Sequence, residues 1–351
     1  MAEKYSKTYT IISIIFALVT AIYIGSQASY FIDFLFNPKE RYFGIPILDN
    51  LLNYLVAIFL EAINDPTSLL YHHYGTPLFI VVLYTYALEA SIPSTSGLIT
   101  QYLLFATCSQ FVAVSITIPL LWIPAWIASE NRKSNLTEQQ QQQQQPVTTN
   151  TLNPTHVDRI FWGIFITTMV SMVAMDFYTN PTLQLWSIIF FQFAPMLAMV
   201  FWKRKPQEIS PEIAELNIIE GYKQAANYYL LLFGISVYSW IYFWVHGSDN
   251  NFLYINTLIT QFFNGESAPG SNLLFADLFF VGVSMIYWVY LVEGAKFTSR
   301  FGTLLWNCVV LSPGGAIALY NYERYLMKSN GKDINSRSRY GSTSNEATPL
   351  L

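Results

Sequence analysis

The sequence predicts an all-α protein, a polytopic transmembrane helix bundle, on three observations. Hydrophobic residues make up 53% of the 351-residue chain and charged residues only 11%, whereas soluble domains carry roughly a quarter charged residues. Apolar runs near the roughly 20 residues that cross a bilayer recur along the chain. Lysine and arginine gather beside some of these runs and are missing beside others, the bias that orients helices in a membrane. A formal net charge of −4 with scattered basic residues gives no footprint for nucleic acid, so the lipid bilayer is the expected macroscopic partner.

Taken in order, nine apolar segments are expected, at about 9–26, 49–64, 76–92, 98–128, 160–178, 183–202, 228–245, 272–293 and 302–321, with eight to ten spans compatible with their edges. The first follows lysines, is longer than the apolar core of a cleaved signal, and reads as a retained signal anchor. The second carries Asp49, Asn50, Asn53 and Glu61, so it must face protein if it spans. The fourth is overlong and contains Pro119 and Pro124, which are expected to kink it. Residues 1–129 therefore read as about four membrane helices and 158–326 as about five, together forming one membrane domain. Residues 130–157, Gln-rich and with little apolar content to dock, read as a disordered cytosolic linker, and 327–351 as a disordered tail. No internal repeat is apparent, which weighs against a transporter built from duplicated halves.

Orientation follows from the basic residues. Lys203, Arg204 and Lys205 follow the sixth segment and Arg132 and Lys133 the fourth, while 246–271 has neither Lys nor Arg. The linker and the 203–226 loop are thus expected in the cytosol and the 246–271 loop in the lumen or outside. The Asn135 sequon then stays unglycosylated. Nine spans would strand the basic tail on the far side, so either Pro313-Gly314-Gly315 makes the last segment re-entrant or residues 252–263 insert as well. Strict alternation of the helices places Asp49, Glu89, Asp176 and Asp277 in one lumenal leaflet, and predicts that Asp277 and Glu89 share one cavity. An endoplasmic reticulum or other endomembrane location is expected. The terminal EATPLL, with Glu346 before Leu350 and Leu351, has the spacing of an acidic dileucine sorting signal for the vacuole, a match short enough to arise by chance.

Isolated carboxyls within apolar helices are the candidate chemistry, because a charge in hydrocarbon is expensive and usually faces a cavity or a partner. Asp277 is followed on its own helix face by Phe280, Val281, Ser284 and Trp288, which suits a protonatable group in a pocket; it equally suits a helix-start carboxylate held by the helix dipole. Glu89 extends a polar stripe with Thr85 and Tyr86. Asp49 begins its helix and suits a cap. Gln110, deep in its segment, needs a partner for its amide, from another helix or from a ligand. His72 and His73 are adjacent, and Cys108 and Cys308 have no CxxC or Cys/His spacing, so neither a metal site nor a disulfide is indicated. No nucleotide, hydrolase or metalloprotease signature occurs, and no cofactor is expected. The 26 Phe, 24 Tyr and 9 Trp supply ring faces able to stabilise a cation as well as interface belts.

Five stretches in order, GIPILDNLLNYLVAIF, FIVVLYTYALEAS, TQYLLFATCSQFVAVSITIPLLW, LLFADLFFVGVSMIYWVYL and LSPGGAIALYNYER, together resemble signature regions of the fungal membrane-bound terpene cyclases of ascofuranone-type and paxilline-type indole-diterpene pathways. The resemblance covers most of residues 44–324. It implies metal-independent cyclisation of an epoxidised or polyene prenyl chain on an aromatic or indole head, begun by protonation and ended by proton loss. It further implies secondary-metabolite biosynthesis beside other membrane-bound pathway enzymes. The resemblance matches Glu89, Gln110 and Asp277 to family positions, and Asp277 and Glu89 are the expected catalytic pair: Asp277 as proton donor, because it sits one turn inside its helix with no Lys or Arg nearby in sequence, and Glu89 to orient that acid or take up the final proton. Gln110, Tyr86, Ser284, Trp288 and Asp49 are the expected residues around a lipophilic prenylated substrate. Two positions depart from the family pattern: Ile92 stands where an arginine is common, and Ser312 where glycine is usual. The rival expectation is a non-catalytic receptor or a proton- or cation-coupled transporter, which needs cavities reachable from both sides.

Overall fold

The computed structural model describes residues 5–64, 66–92, 95–140, 152–177, 180–202, 211–246 and 268–330. Residues 141–151, Lys203–Lys205, the 247–267 loop and the tail with EATPLL lie outside the described residues, as do the side chains of His72, His73, Asn135 and Asp176. Helices account for the regular structure among the described residues, with no strand. In chain order they are α1 (Lys7–Ala28), α2 (Ile32–Phe36), α3 (Pro46–Asn64), α4 (Pro66–Ser91), α5 (Tyr102–Phe111), α6 (Val114–Thr117), a π segment (Ile118–Trp122), α7 (Ile123–Gln140), α8 (Pro154–Phe177), α9 (Pro181–Ala198), α10 (Pro211–His246), α11 (Pro269–Glu293) and α12 (Phe297–Ser329). The expected 130–157 linker is shorter than anticipated, because α7 continues to Gln140 and α8 begins at Pro154. Among the described residues six stretches are long and apolar enough to cross a bilayer, where nine spans were expected.

Contacts along the helices define two ends of the bundle. At one end the Tyr5 amide donates to Asn131 Oδ1 at 2.8 Å and its hydroxyl donates to the Leu291 carbonyl at 3.1 Å, joining the start of α1 to α7 and to the end of α11. At the other end the Tyr54 hydroxyl donates to the Ala28 carbonyl at 3.4 Å, and the Gly270 amide at the start of α11 donates to Glu61 of α3 at 2.5 Å. The first is the basic end, since Lys7, Arg132, Lys133, Arg159, Lys223, Lys296, Arg300 and Arg324 belong to elements that begin or finish there. Lys39 and Arg41 lie at the opposite end, in the loop before α3.

Two surprises in connectivity set the site. The first is α3, which has the length of a span but makes its contacts in the half of the bundle away from the basic end. Tyr54 meets the last residue of α1, Glu61 meets the first turn of α11, and Val56 packs with Met172, Met175 and Ile188 near the α8–α9 connection. Its polar residues fold the preceding loop: Asp49 Oδ1 accepts from the Tyr42 and Phe43 amides at 3.1 and 2.8 Å, and Asn53 Oδ1 from the Lys39 and Glu40 amides at 3.1 and 3.2 Å. An amphipathic helix of this kind lies across an end rather than through the bundle.

The second is a pair of helical hairpins that enter from the basic end and return to it. In α12, Ser312 adopts φ 72°, ψ 157°, and Arg300 Nη1 lies 3.7 Å from Glu323 Oε2; a continuous helix would hold those residues about 35 Å apart. Residues 297–311 therefore descend and 313–329 climb back. The sequence Ser312-Pro313 starts the second limb as a helix cap and first-turn proline do, with the Gly315 amide donating to Ser312 Oγ at 3.0 Å. Gly314 lies against the Leu78 backbone, where an added Cβ would sit 3.0 Å from the Leu78 nitrogen. The other hairpin is made by α5, α6, the π segment and α7, with its apex at Ala113, φ 134°, ψ 144°. Its limbs are matched in depth: the Ser96 amide donates to Ser129 Oγ at 3.2 Å, and Tyr86 touches both Phe105 and Trp122, ring centroids 6.0 and 5.1 Å away. The π turn containing Pro119 leaves that residue's carbonyl to accept from Ser13 Oγ of α1 at 2.5 Å.

Candidate functional site

Near the non-basic end, where α1, α3, α4 and α11 surround the apex of the first hairpin, lies a cavity of about 300 Å³. Its walls are mainly apolar, from Ile24 on α1, Ile58 and Phe59 on α3, Phe79 on α4 and Leu278 on α11. Gly25 lines the cavity and is also exposed on α1, and a Cβ there would meet nothing within 4 Å. The cavity thus reaches the outer surface of α1, beside the exposed Ile22. Asp277 is the acidic residue among those lining it, and no Lys, Arg or His lines it.

The hairpin apex and α11 meet at that carboxyl. The Ser115 amide, one of the unsatisfied N–H groups that open a helix, donates to Asp277 Oδ1 at 2.9 Å. The Ala113 conformation turns this amide toward α11. Gln110, 7% exposed, lines the same cavity, and its Nε2 has no hydrogen-bond partner among the described residues. Thr76 and Tyr54 add further polar groups to the wall. Asp277 and Gln110 are the sequence-predicted residues that the fold brings together.

The others lie elsewhere. Glu89, 2% exposed, is held at the basic end by three donors: Arg324 Nη1 at 2.5 Å, the Tyr325 hydroxyl at 3.2 Å and Trp126 Nε1 at 3.3 Å. The Arg324 guanidinium stands 5.1 Å from the ring centre of Trp288. Trp288 lies about 16 Å beyond Asp277 along α11 at about 1.5 Å per residue, so the two carboxyls occupy opposite halves of the bundle and share no cavity. The expectation of one leaflet for both is corrected, because counting 49–64 as a span reversed the expected direction of α4. In the structure α4 and α11 run the same way, with Gly75 beside Leu278 and Leu78 beside the Gly314 that follows Gly282's neighbour Pro313.

Trp288 is packed against Trp122 and Trp126, at 5.3 and 6.3 Å between ring centres, away from the cavity. The Tyr86 hydroxyl meets Ser109 Oγ at 3.4 Å behind the hairpin apex. Ser284 Oγ donates to the Phe280 carbonyl of its own helix at 2.7 Å, and Asp49 is occupied by the loop before α3. None of these four is among the lining residues. Sequence reasoning passed over the partner of Glu89. Its signal was present: Ile317, Tyr320, Asn321, Arg324 and Tyr325 form one helical face, all buried, so the arginine stands in an apolar stripe and requires a buried acid.

Fold and site define an all-helical membrane protein with a carboxyl-bearing apolar cavity in one half and a buried ion pair in the other. Comparison of the chain with models of known families, with curated proteins and with solved structures finds no match to any of them.

Proposed function

We propose that this chain is an integral membrane cyclase in which Asp277 starts ring closure of a lipophilic, prenylated substrate, as its resemblance to the fungal membrane-bound terpene cyclases implies. The observation that carries the reading is a single carboxyl in an apolar cavity that reaches the lipid-facing surface of α1. An unpaired carboxylate there is costly, so the group serves as a neutral acid. Asp277 Oδ1 accepts from the Ser115 amide and Oδ2 carries the proton. Transfer of that proton to an epoxide oxygen or a terminal alkene carbon generates a carbocation, which the next double bond attacks. The final cation loses a proton back to the Asp277 carboxylate, so the overall change is an isomerisation. Ring faces in the wall, such as Phe59 and Phe79, shield the cation, and exclusion of water prevents its capture. Glu89, ion-paired in the other half, takes no part in proton transfer. Packing of Tyr86, Trp122, Trp126 and Trp288 between the cavity and the basic end speaks against a transport path.

Asp277 also acts as a cap for the returning limb of the first hairpin, and asparagine caps as well as aspartate does. Asp277→Asn therefore separates the two roles: folding and yield persist, while turnover of epoxyprenylated aromatics supplied to an expression host falls by about a hundred- to ten-thousand-fold. Product formation by the Asn variant at the parental rate would leave the carboxyl a structural cap.

A further inference from the structure

At the basic end a second cleft, of about 370 Å³, opens between the start of α1 and α7. Pro124 and Ile127 form its apolar floor, and Tyr5, Lys7, Asn131 and Arg132 its polar rim, with no carboxylate among the lining residues. The walls are tied together: the Tyr5 amide donates to Asn131 Oδ1 at 2.8 Å, and Asn131 Nδ2 donates to the Tyr5 carbonyl at 3.1 Å. Arg132 is set against Gly97, φ +80°, where any side chain would collide with its guanidinium. Lys7 and Arg132 have no ion-pair or hydrogen-bond partner among the described residues, whereas neighbouring Lys133 is neutralised by Glu130 at 2.6 Å. Two unpaired cations thus converge on one cleft beside an apolar floor. Beyond Lys7, α1 exposes Ile11, Ile14, Ile15 and Leu18, a face with the chemistry of acyl-chain contact.

We propose that this cleft binds the phosphate of an anionic lipid, with Lys7 and Arg132 on its oxygens and the acyl chains along the exposed face of α1. The fork of an arginine and a point-charge lysine are the usual pair for phosphate, and a basic residue near a membrane surface contributes to anionic-lipid binding. The site is independent of Asp277 and of any reaction there.

Native mass spectrometry of the full chain, released from detergent containing equimolar dioleoyl phosphatidic acid and phosphatidylcholine, tests it. The phosphatidic acid adduct is expected to dominate. Lys7→Gln/Arg132→Gln is expected to reduce it by about tenfold, while Lys133→Gln leaves it unchanged; both replaced side chains are exposed, and an unchanged melting temperature verifies folding. Millimolar inorganic phosphate is expected to leave the adduct in place, because the chains contribute. Equal adducts of the two lipids, an undiminished adduct in the double variant, or full displacement by inorganic phosphate overturns the proposal, the last by identifying free phosphate as the ligand.

Discussion

Ala113 and Glu89 illustrate how single residues were and were not readable. Ala113 holds φ 134°, ψ 144°, a region that residues with a Cβ avoid at a cost of about 1–3 kcal/mol. Nothing in TCSQFVAVSITIP announces this, since no glycine marks the turn; the strain exists because packing of both limbs and the Ser115–Asp277 hydrogen bond fix the apex. Replacing Ala113 by Gly is expected to raise the melting temperature while speeding hydrogen exchange at the Ser115 amide. A lower melting temperature for the Gly variant would mean the apex is relaxed. Glu89 was recognised as unusual, yet its partner lies across the chain in α12, beyond the reach of local spacing. Removing one member of a buried pair leaves the other charge uncompensated, at a cost of about 3–5 kcal/mol. Glu89→Gln should therefore lower stability by that order in denaturant or thermal unfolding, and Arg324→Met in the same chain should restore much of it. Equal losses that simply add would show the two residues to be uncoupled.

At the scale of elements, hydropathy found the apolar segments but not their direction. The Pro313-Gly314-Gly315 break was one of two ways the sequence offered to return the tail, because proline and paired glycines interrupt helices; the Ser312 backbone marks the turn there. The hairpin at Ala113 was read as a kinked single segment, since Pro119 and Pro124 suggested bending and only the contacts between Tyr86, Phe105 and Trp122 show a reversal. The α3 segment carried its own warning in Asp49, Asn53 and Glu61, whose partners are loop amides and the first turn of α11 rather than a bundle interior. The re-entrant geometry of α12 is open to a direct check. In a chain with Cys108 and Cys308 replaced by Ser, Arg300→Cys and Glu323→Cys should be joined by a short bifunctional maleimide in membranes, giving a cross-linked loop detectable after cleavage between them. A transmembrane α12 would keep the two thiols about 35 Å apart, and no link would form.

The whole molecule resolves the charge conflict that the sequence posed. Nine spans would have left the basic tail on the wrong side; two hairpins that return to their side of entry, and an α3 that packs against the opposite half, bring the start of α1, the end of α7, the end of α9 and the end of α12 to one end. Most of the described basic residues then obey one bias, Lys39 and Arg41 excepted. That bias assigns the basic end to the cytosol, with the Asp277 cavity in the far half and the lipid-phosphate cleft in the near one. Helices in a bilayer gain little from hydrophobic burial against one another, so association rests on packing and buried polar contacts; the aromatic layer of Tyr86, Trp122 and Trp288 and the Glu89–Arg324 pair supply both at the level where the hairpins meet α4 and α11. The orientation has a concrete consequence at either end. In sealed microsomes, a cysteine at Arg132 should react with an impermeant maleimide added outside, while one at Lys39 should react only after the membrane is permeabilised, and Asn135 should carry no glycan. The opposite labelling pattern would invert the molecule, moving the cavity to the cytosolic leaflet.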